Sequence, residues 1–196
     1  MKKTAIIVVV LLIIAYLGYS IFIGRYNTMV EMDENVKTVW SNVETQYQRR
    51  ADLIPNLVNT VKGFAEQEKE VLVGVTEARS KASSIQIDPT NLNAQNMAQF
   101  QQAQDQLSGA LSRLLVTVEK YPELKSDQNF RDLQAQLEGT ENRIAVARDR
   151  YNESVKEYNT FIRKFPANIS AWIFDFEEKT QFAASEGSEN APTVSF

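Results

Sequence analysis

Residues 130–165, FRDLQAQLEGTENRIAVARDRYNESVKEYNTFIRKF, decide the fold. Phe130, Leu133, Leu137, Ile144, Tyr151, Val155, Tyr158, Ile162 and Phe165 recur at intervals of three, four or seven, which lines them along one face of an α-helix. Apolar and polar residues do not alternate in pairs for any length, so a strand is excluded. A stripe this long needs other surfaces to cover it, and the rest of the chain supplies them.

Prolines at 55, 89, 122, 166 and 192 divide the region after residue 25 into helical blocks, because proline breaks or kinks a helix interior. In the first block Val36, Val39, Val43 and Tyr47 keep the helical spacing. In the second Leu57, Val61, Phe64, Val71, Val75 and Ala78 do so, with Glu68 on the seam. The third carries Met97, Phe100, Ala103, Leu107, Leu111, Leu114, Val118 and Tyr121. Four amphipathic segments bury their stripes most simply against one another, so residues 26–165 are expected to form an antiparallel four-helix bundle.

The boundaries carry turn chemistry. Ser83 to Asn91 is a polar loop in which Asp88 or Thr90 is expected to cap the third helix, and Tyr121-Pro122-Glu123 is a tight turn. Around Arg49 to Leu57 the chain either kinks or reverses. Reversal is preferred, since Asp52 can cap a new helix whose first turn tolerates Pro55 and all four blocks then share a common length.

Ahead of the bundle, residues 5–23 read AIIVVVLLIIAYLGYSIFI without a charge. At about 1.5 Å per residue this block spans roughly 28 Å, close to the ~30 Å hydrocarbon core of a bilayer. Residues 1–25 are therefore expected to be a retained transmembrane anchor, with Ile6, Val10, Leu11, Ile14, Leu17 and Phe22 in lipid. A cleaved signal fits less well: the apolar run is long, and Tyr19 stands where a lipoprotein has its acylated Cys. Lys2 and Lys3 precede the block while Glu31, Asp33 and Glu34 follow Arg25, which places the N-terminus in the cytoplasm and the bundle outside it. Gly24 and Asn27 weaken helix without forbidding it, so the anchor and the first bundle helix can be one rod. Ser20 and Gly24 are read as ordinary small residues rather than a seat for a second helix.

The segment 166–196 changes character. Ile169, Trp172, Ile173 and Phe176 make a short apolar helical face, expected to fold back onto the bundle or, failing that, to meet a partner. A protein partner is preferred over lipid because Asp175, Glu177, Glu178, Glu186 and Glu189 face only Lys179 across this segment. The ending Val194-Ser195-Phe196 weakly resembles the C-terminal peptides that add a strand to a partner's sheet.

Composition narrows the function. The 196 residues contain no Cys and no His, which removes disulfides, zinc and iron–sulfur sites, thiol nucleophiles and His-based triads. Lys2, Lys3 and Arg25 give the first 25 residues +3 against −4 for the whole chain, so the remainder carries −7 and no nucleic-acid partner is expected.

The runs YNTMV (26–30), QYQRRADLIPNLVNTVKGFAEQE (46–68), VTEARSKA (75–82), YPELKSDQNFRDLQAQLEGTENRIAVARDRYNESVKEYNTFIRKFP (121–166) and the ending APTVSF strongly resemble the LemA family of bacterial membrane-anchored proteins. The resemblance covers the whole chain in order. It implies an N-terminal membrane helix in the bacterial inner membrane followed by a helical bundle, and it implies no catalytic residue. Family members often have His where Gln67 stands.

Carboxylates are the reactive groups that remain. Glu66, Glu70 and Glu77 with Glu138 and Glu141 are the candidates for a Ca²⁺ or Mg²⁺ site, but no EF-hand spacing occurs and Glu66 and Glu70 read as a solvated face. No cofactor is expected. Arg49, Arg50, Asp52 and Asn56 at one junction, and Glu138, Glu141, Asn142 and Arg148 on the fourth block, are expected to form a structural polar network that fixes helix register, with Asn152 and Asn159 as further amide members. The reading is a membrane-anchored scaffold without catalysis of its own, partnered by the lipid bilayer, by further copies of itself and by an unidentified membrane or envelope protein. The alternatives are a carboxylate- or metal-dependent enzyme, and a sensor relaying a signal to a separate membrane partner.

Overall fold

A computed structural model describes residues 2–183, with side chains at 6–13, 16, 18–20 and 22–183. Every regular element among them is helical: α1 (Lys2–Phe64), α2 (Lys69–Ser84), α3 (Ala94–Val118), α4 (Pro122–Ser126), α5 (Gln128–Arg163) and α6 (Ala167–Ile173).

The chain does not reverse at Pro55, contrary to the expectation from sequence. Helix α1 runs through Gly24, Asn27 and Pro55 for 63 residues without a break. Proline at an interior position deletes the donor for the carbonyl four residues back, here that of Ala51. Arg79 on α2 replaces it, its Nε donating to the Ala51 oxygen at 2.7 Å. The reversal falls instead at residues 65–68, where Glu68 N–H bonds the Ala65 carbonyl at 3.1 Å.

The helices belong to two compact units, one made of residues 2–47 with 143–179, the other of residues 48–142 with 180–183. In the second unit Ile54, Leu57 and Val61 of α1, Leu72 and Val75 of α2, Leu107, Leu111, Leu114 and Val118 of α3, Leu124 of α4, and Phe130 and Leu137 of α5 form one apolar core. α2 and α3 run antiparallel: the Tyr121 hydroxyl, just past α3, donates to Glu68, just before α2, while Lys81 at the other end of α2 reaches Gln106. Asn93 caps α3 by accepting from Asn96 N–H at 2.9 Å, not Asp88 or Thr90 as the loop composition suggested; the Asp88 carboxylate instead closes a turn on Thr90. Asp127 accepts from Phe130 N–H at the start of α5.

In the first unit α1 and α5 lie antiparallel. The Trp40 and Tyr151 rings meet edge-on at 5.4 Å, and Arg25 lies over the Phe161 ring at 5.7 Å, so residue numbers rise on one helix as they fall on the other. Just past α6 lies Asp175, whose φ of 58° lets Phe176 N–H reach back to the Ala171 carbonyl at 2.9 Å. This is a Schellman closure with Asp in the left-handed position that Gly usually takes. Residues 176–179 then return along α1 and α5 as a strap.

Two corrections concern apolar faces. Phe165, assigned to the α5 stripe, is 80% exposed, and Phe64, assigned to the second block, is 45% exposed. α6 buries its small residues Ala167, Ser170 and Ala171, so Ile169, Trp172 and Ile173 face outward rather than onto the helices. Trp40, which belongs to none of the expected stripes, is fully buried.

Candidate functional site

The buried seam of α1 is Met29, Asp33, Val36, Trp40, Val43, Tyr47, Arg50, Ile54, Leu57 and Val61, alternating steps of four and three. Such a seam is normally apolar throughout. Asp33 and Arg50 interrupt it, one in each unit, and each gathers polar partners from other segments.

The Arg50 side chain is 2% exposed. Its Nη1 donates to Glu141 on α5 at 2.7 Å and to the Ser108 hydroxyl on α3 at 3.0 Å, and its Nη2 donates to the Gln104 side-chain oxygen at 2.5 Å. One guanidinium thus joins three helices. Its rigid fork suits this better than a lysine ammonium, which carries its charge at a single point. Beside it lies a cavity of about 290 Å³ floored by Leu57, Leu111, Leu115 and Leu137, with Glu138 and Glu141 at its rim. Glu141 is held by Arg50 and Glu138 accepts from Gln134, so both rim carboxylates have partners on the protein.

The network foreseen from sequence is therefore smaller than expected. Arg50 and Glu141 meet, whereas Arg49, Asp52, Asn56 and Asn142 are exposed. Asp52 accepts from Gln48, and the Asn56 carbonyl accepts from Thr60. Arg148 and Asn152 lie in the other unit. Spacing places residues on a face, but it cannot rank which of several charged neighbours the packing encloses. Gln104 and Ser108 were missed; the clue is their position on the buried face of α3, four residues apart between Ala103 and Leu111.

Asp33 marks the second polar cluster. Its carboxylate binds Lys37 at 2.7 Å and Lys179 of the strap at 3.0 Å. Burial pushes this carboxyl up, but the hydrogen bonds from Lys37 and Lys179 outweigh it and leave it below its usual range. Asn159 fixes the strap backbone from the other side, donating to the Lys179 carbonyl at 2.8 Å and accepting from its N–H at 2.9 Å. The Tyr158 hydroxyl donates to the Glu177 carbonyl at 3.0 Å. Asn159 was foreseen as a network member; Asp33 and Lys179 were not.

Glu66, Glu70 and Glu77 are exposed on their helices. Among the described residues no three carboxylates come close enough to share a metal ion. Gln67 donates to the Tyr121 hydroxyl at 2.9 Å.

Ile6, Val10 and Leu11 of the apolar block are 63%, 48% and 59% exposed, uncovered by the other described residues. Ile14 and Leu17 belong to the same helix, their side chains lying outside those described. Phe22 packs against Phe174 with centroids 5.8 Å apart, and Phe176 meets Tyr26 at 5.8 Å. Glu186, Glu189 and the ending Val194-Ser195-Phe196 lie outside the described residues.

A helix long and apolar enough to cross a membrane, continuous with a helical domain whose buried polar groups hold helices together, defines a membrane-associated helical-bundle protein. The chain belongs to the LemA family, whose model matches residues 39–196. It is 25% identical over 168 residues to Protein LemA of Metamycoplasma hominis, covering 86% of this chain and 73% of that one. It is also 28% identical over 193 residues to Magnetosome protein MamQ 2 of Paramagnetospirillum magneticum, covering 88% and 71% respectively. Against Magnetosome protein MamQ of Magnetospirillum gryphiswaldense the identity is 27% over 175 residues, covering 81% and 64%.

Proposed function

We propose that the protein is a membrane-anchored scaffold that self-assembles and presents helical surfaces to other envelope proteins, without catalysis of its own. The observation that carries this reading is the unbroken passage of α1 from the apolar block into both units, which ties surfaces rather than a reactive centre to the bilayer. The polar groups at Arg50 and Asp33 support it because each is spent on contacts within the protein. Relatives named as magnetosome proteins match over most of the chain, which supports a part in organising a cellular structure. The N-terminus is assigned to the cytoplasm and the helical domain to the opposite side, from Lys2 and Lys3.

Crosslinking in intact membranes, followed by imaging of the detergent-extracted protein, tests the proposal. Multimers or a reproducible co-purifying membrane protein are expected. A strictly monomeric chain without partners at cellular concentration would contradict it, as would a hydrolytic activity abolished by replacing Glu66, Glu77 and Glu141 together with folding intact.

A further inference from the structure

Exposed apolar side chains gather in the first unit on α6 and the residues flanking it. Phe165 is 80% exposed, Trp172 83%, Ile173 51%, and Ile169 and Phe174 45% each. Large apolar groups left uncovered together mark a surface that meets something other than water.

Contacts with α1 fix the level of this cluster. Phe174 touches Phe22, in the last turn of the apolar block, and Tyr26, whose ring centroid is 4.6 Å away. Phe176 meets Tyr26, and Lys179 meets Asp33. From Phe22 to Asp33 the helix rises roughly 16 Å. The strap therefore climbs away from the apolar block, and α6 stays beside the block's end. In a bilayer that end lies where acyl chains give way to headgroups, the depth at which Trp is favoured.

We propose that α6 is a second membrane contact, with Ile169, Trp172 and Ile173, flanked by Phe165 and Phe174, seated in the interfacial layer of the leaflet from which α1 emerges. This rests on residues 5–23 spanning the bilayer. The partner is lipid, not the protein preferred from sequence, because the acidic residues of this segment among those described, Asp175, Glu177 and Glu178, are balanced in place. Glu178 pairs with Arg163 at 3.5 Å, and Arg25, Arg163 and Lys164 stand near the same end as Asp175, Glu177 and Glu178. With charges near balance, the contact needs apolar depth and no anionic headgroup. The small buried face of Ala167, Ser170 and Ala171 lets α6 lie close against its own unit while its large residues turn outward.

The absence of native Cys allows single nitroxide labels on the full chain reconstituted in zwitterionic phosphatidylcholine vesicles. Labels replace Trp172 (Trp172→Cys), Ile173 (Ile173→Cys), Leu12 as a lipid reference and exposed Val146 as a water reference. Circular dichroism checks each fold. Labels at 172 and 173 are expected to collide more with oxygen than with a water-soluble nickel chelate, as at 12 and opposite to 146, and to do so without anionic lipid. Water-like accessibility at 172 and 173 with a lipid-like label at 12 overturns this proposal alone. A water-like label at 12 overturns the anchor as well. Protection from both reagents that disappears on dilution into excess lipid assigns the face to a second copy and also overturns the proposal.

Discussion

Arg50 shows how one residue can be placed by sequence yet valued only by packing. Its charge beside the Pro55 junction drew attention to it, but only its position on the α1 seam makes it a buried hub. Arg50→Ala strips Gln104 and Ser108 of their donor and leaves a void, and is expected to cost about 2 to 4 kcal/mol. Glu141→Ala is expected to cost only about 1 to 2 kcal/mol, because Glu141 is 47% exposed and the guanidinium keeps its other partners. Thermal or denaturant melts of the full-length protein in detergent check the order. Asp33 adds a pH signature. Its folded pKa lies below the unfolded value of 3.8, so its stabilisation is complete well above pH 3.8 and is lost as pH falls through the folded value. Asp33→Asn is expected to lower stability at pH 7 and to flatten the acid-side decline, measurable by hydrogen exchange in residues 177–183. Glu44 runs the other way: burial lifts its carboxyl, only partly offset by a hydrogen bond from Trp40. Its ionised form therefore costs stability at neutral pH, and Glu44→Gln is expected to raise the melting temperature at pH 7 more than at pH 4.

At the level of elements, the helices were legible because their stripes are long, whereas their caps were not: Asn93 and Asp127 cap α3 and α5, and none of Asp88, Thr90 and Asp52 caps a helix. Pro55 misled because a proline reads as a break when only its own helix is considered. The compensating donor, Arg79, is 28 residues away and invisible to local pattern. The pair predicts non-additivity: Arg79→Met should cost about 1 to 2 kcal/mol in the parent but much less beside Pro55→Ala, where a backbone N–H again faces the Ala51 carbonyl. A double-mutant cycle measures the coupling, and additive effects would show that Arg79 contributes elsewhere. The end of α6 was hidden for a similar reason, since no glycine marks it. Asp175→Gly should relieve left-handed strain and raise stability by up to about 1 kcal/mol, whereas a β-branched residue there should lower it.

Across the whole molecule, the apolar block and the helical class were readable from composition and period alone, whereas the division into two units was not. α2 and α3 are 16 and 25 residues long against 63 for α1 and 36 for α5, so the four blocks cannot share a common length. The sequence shows equal-looking stripes but not which helices run out of partners. Alkaline carbonate washing should leave the full chain in the membrane pellet, while removal of residues 1–25 should release it.

The Arg79 contact carries a consequence for biosynthesis. As the chain leaves the ribosome, the carbonyl of residue 51 emerges long before the guanidinium that will satisfy it, and no backbone donor can serve in the meantime. Water must hold that oxygen until α2 has been translated and docked. The proline at 55 thus sets an order of events: the distal turns of α1 become secure only after synthesis has passed the hairpin that follows them.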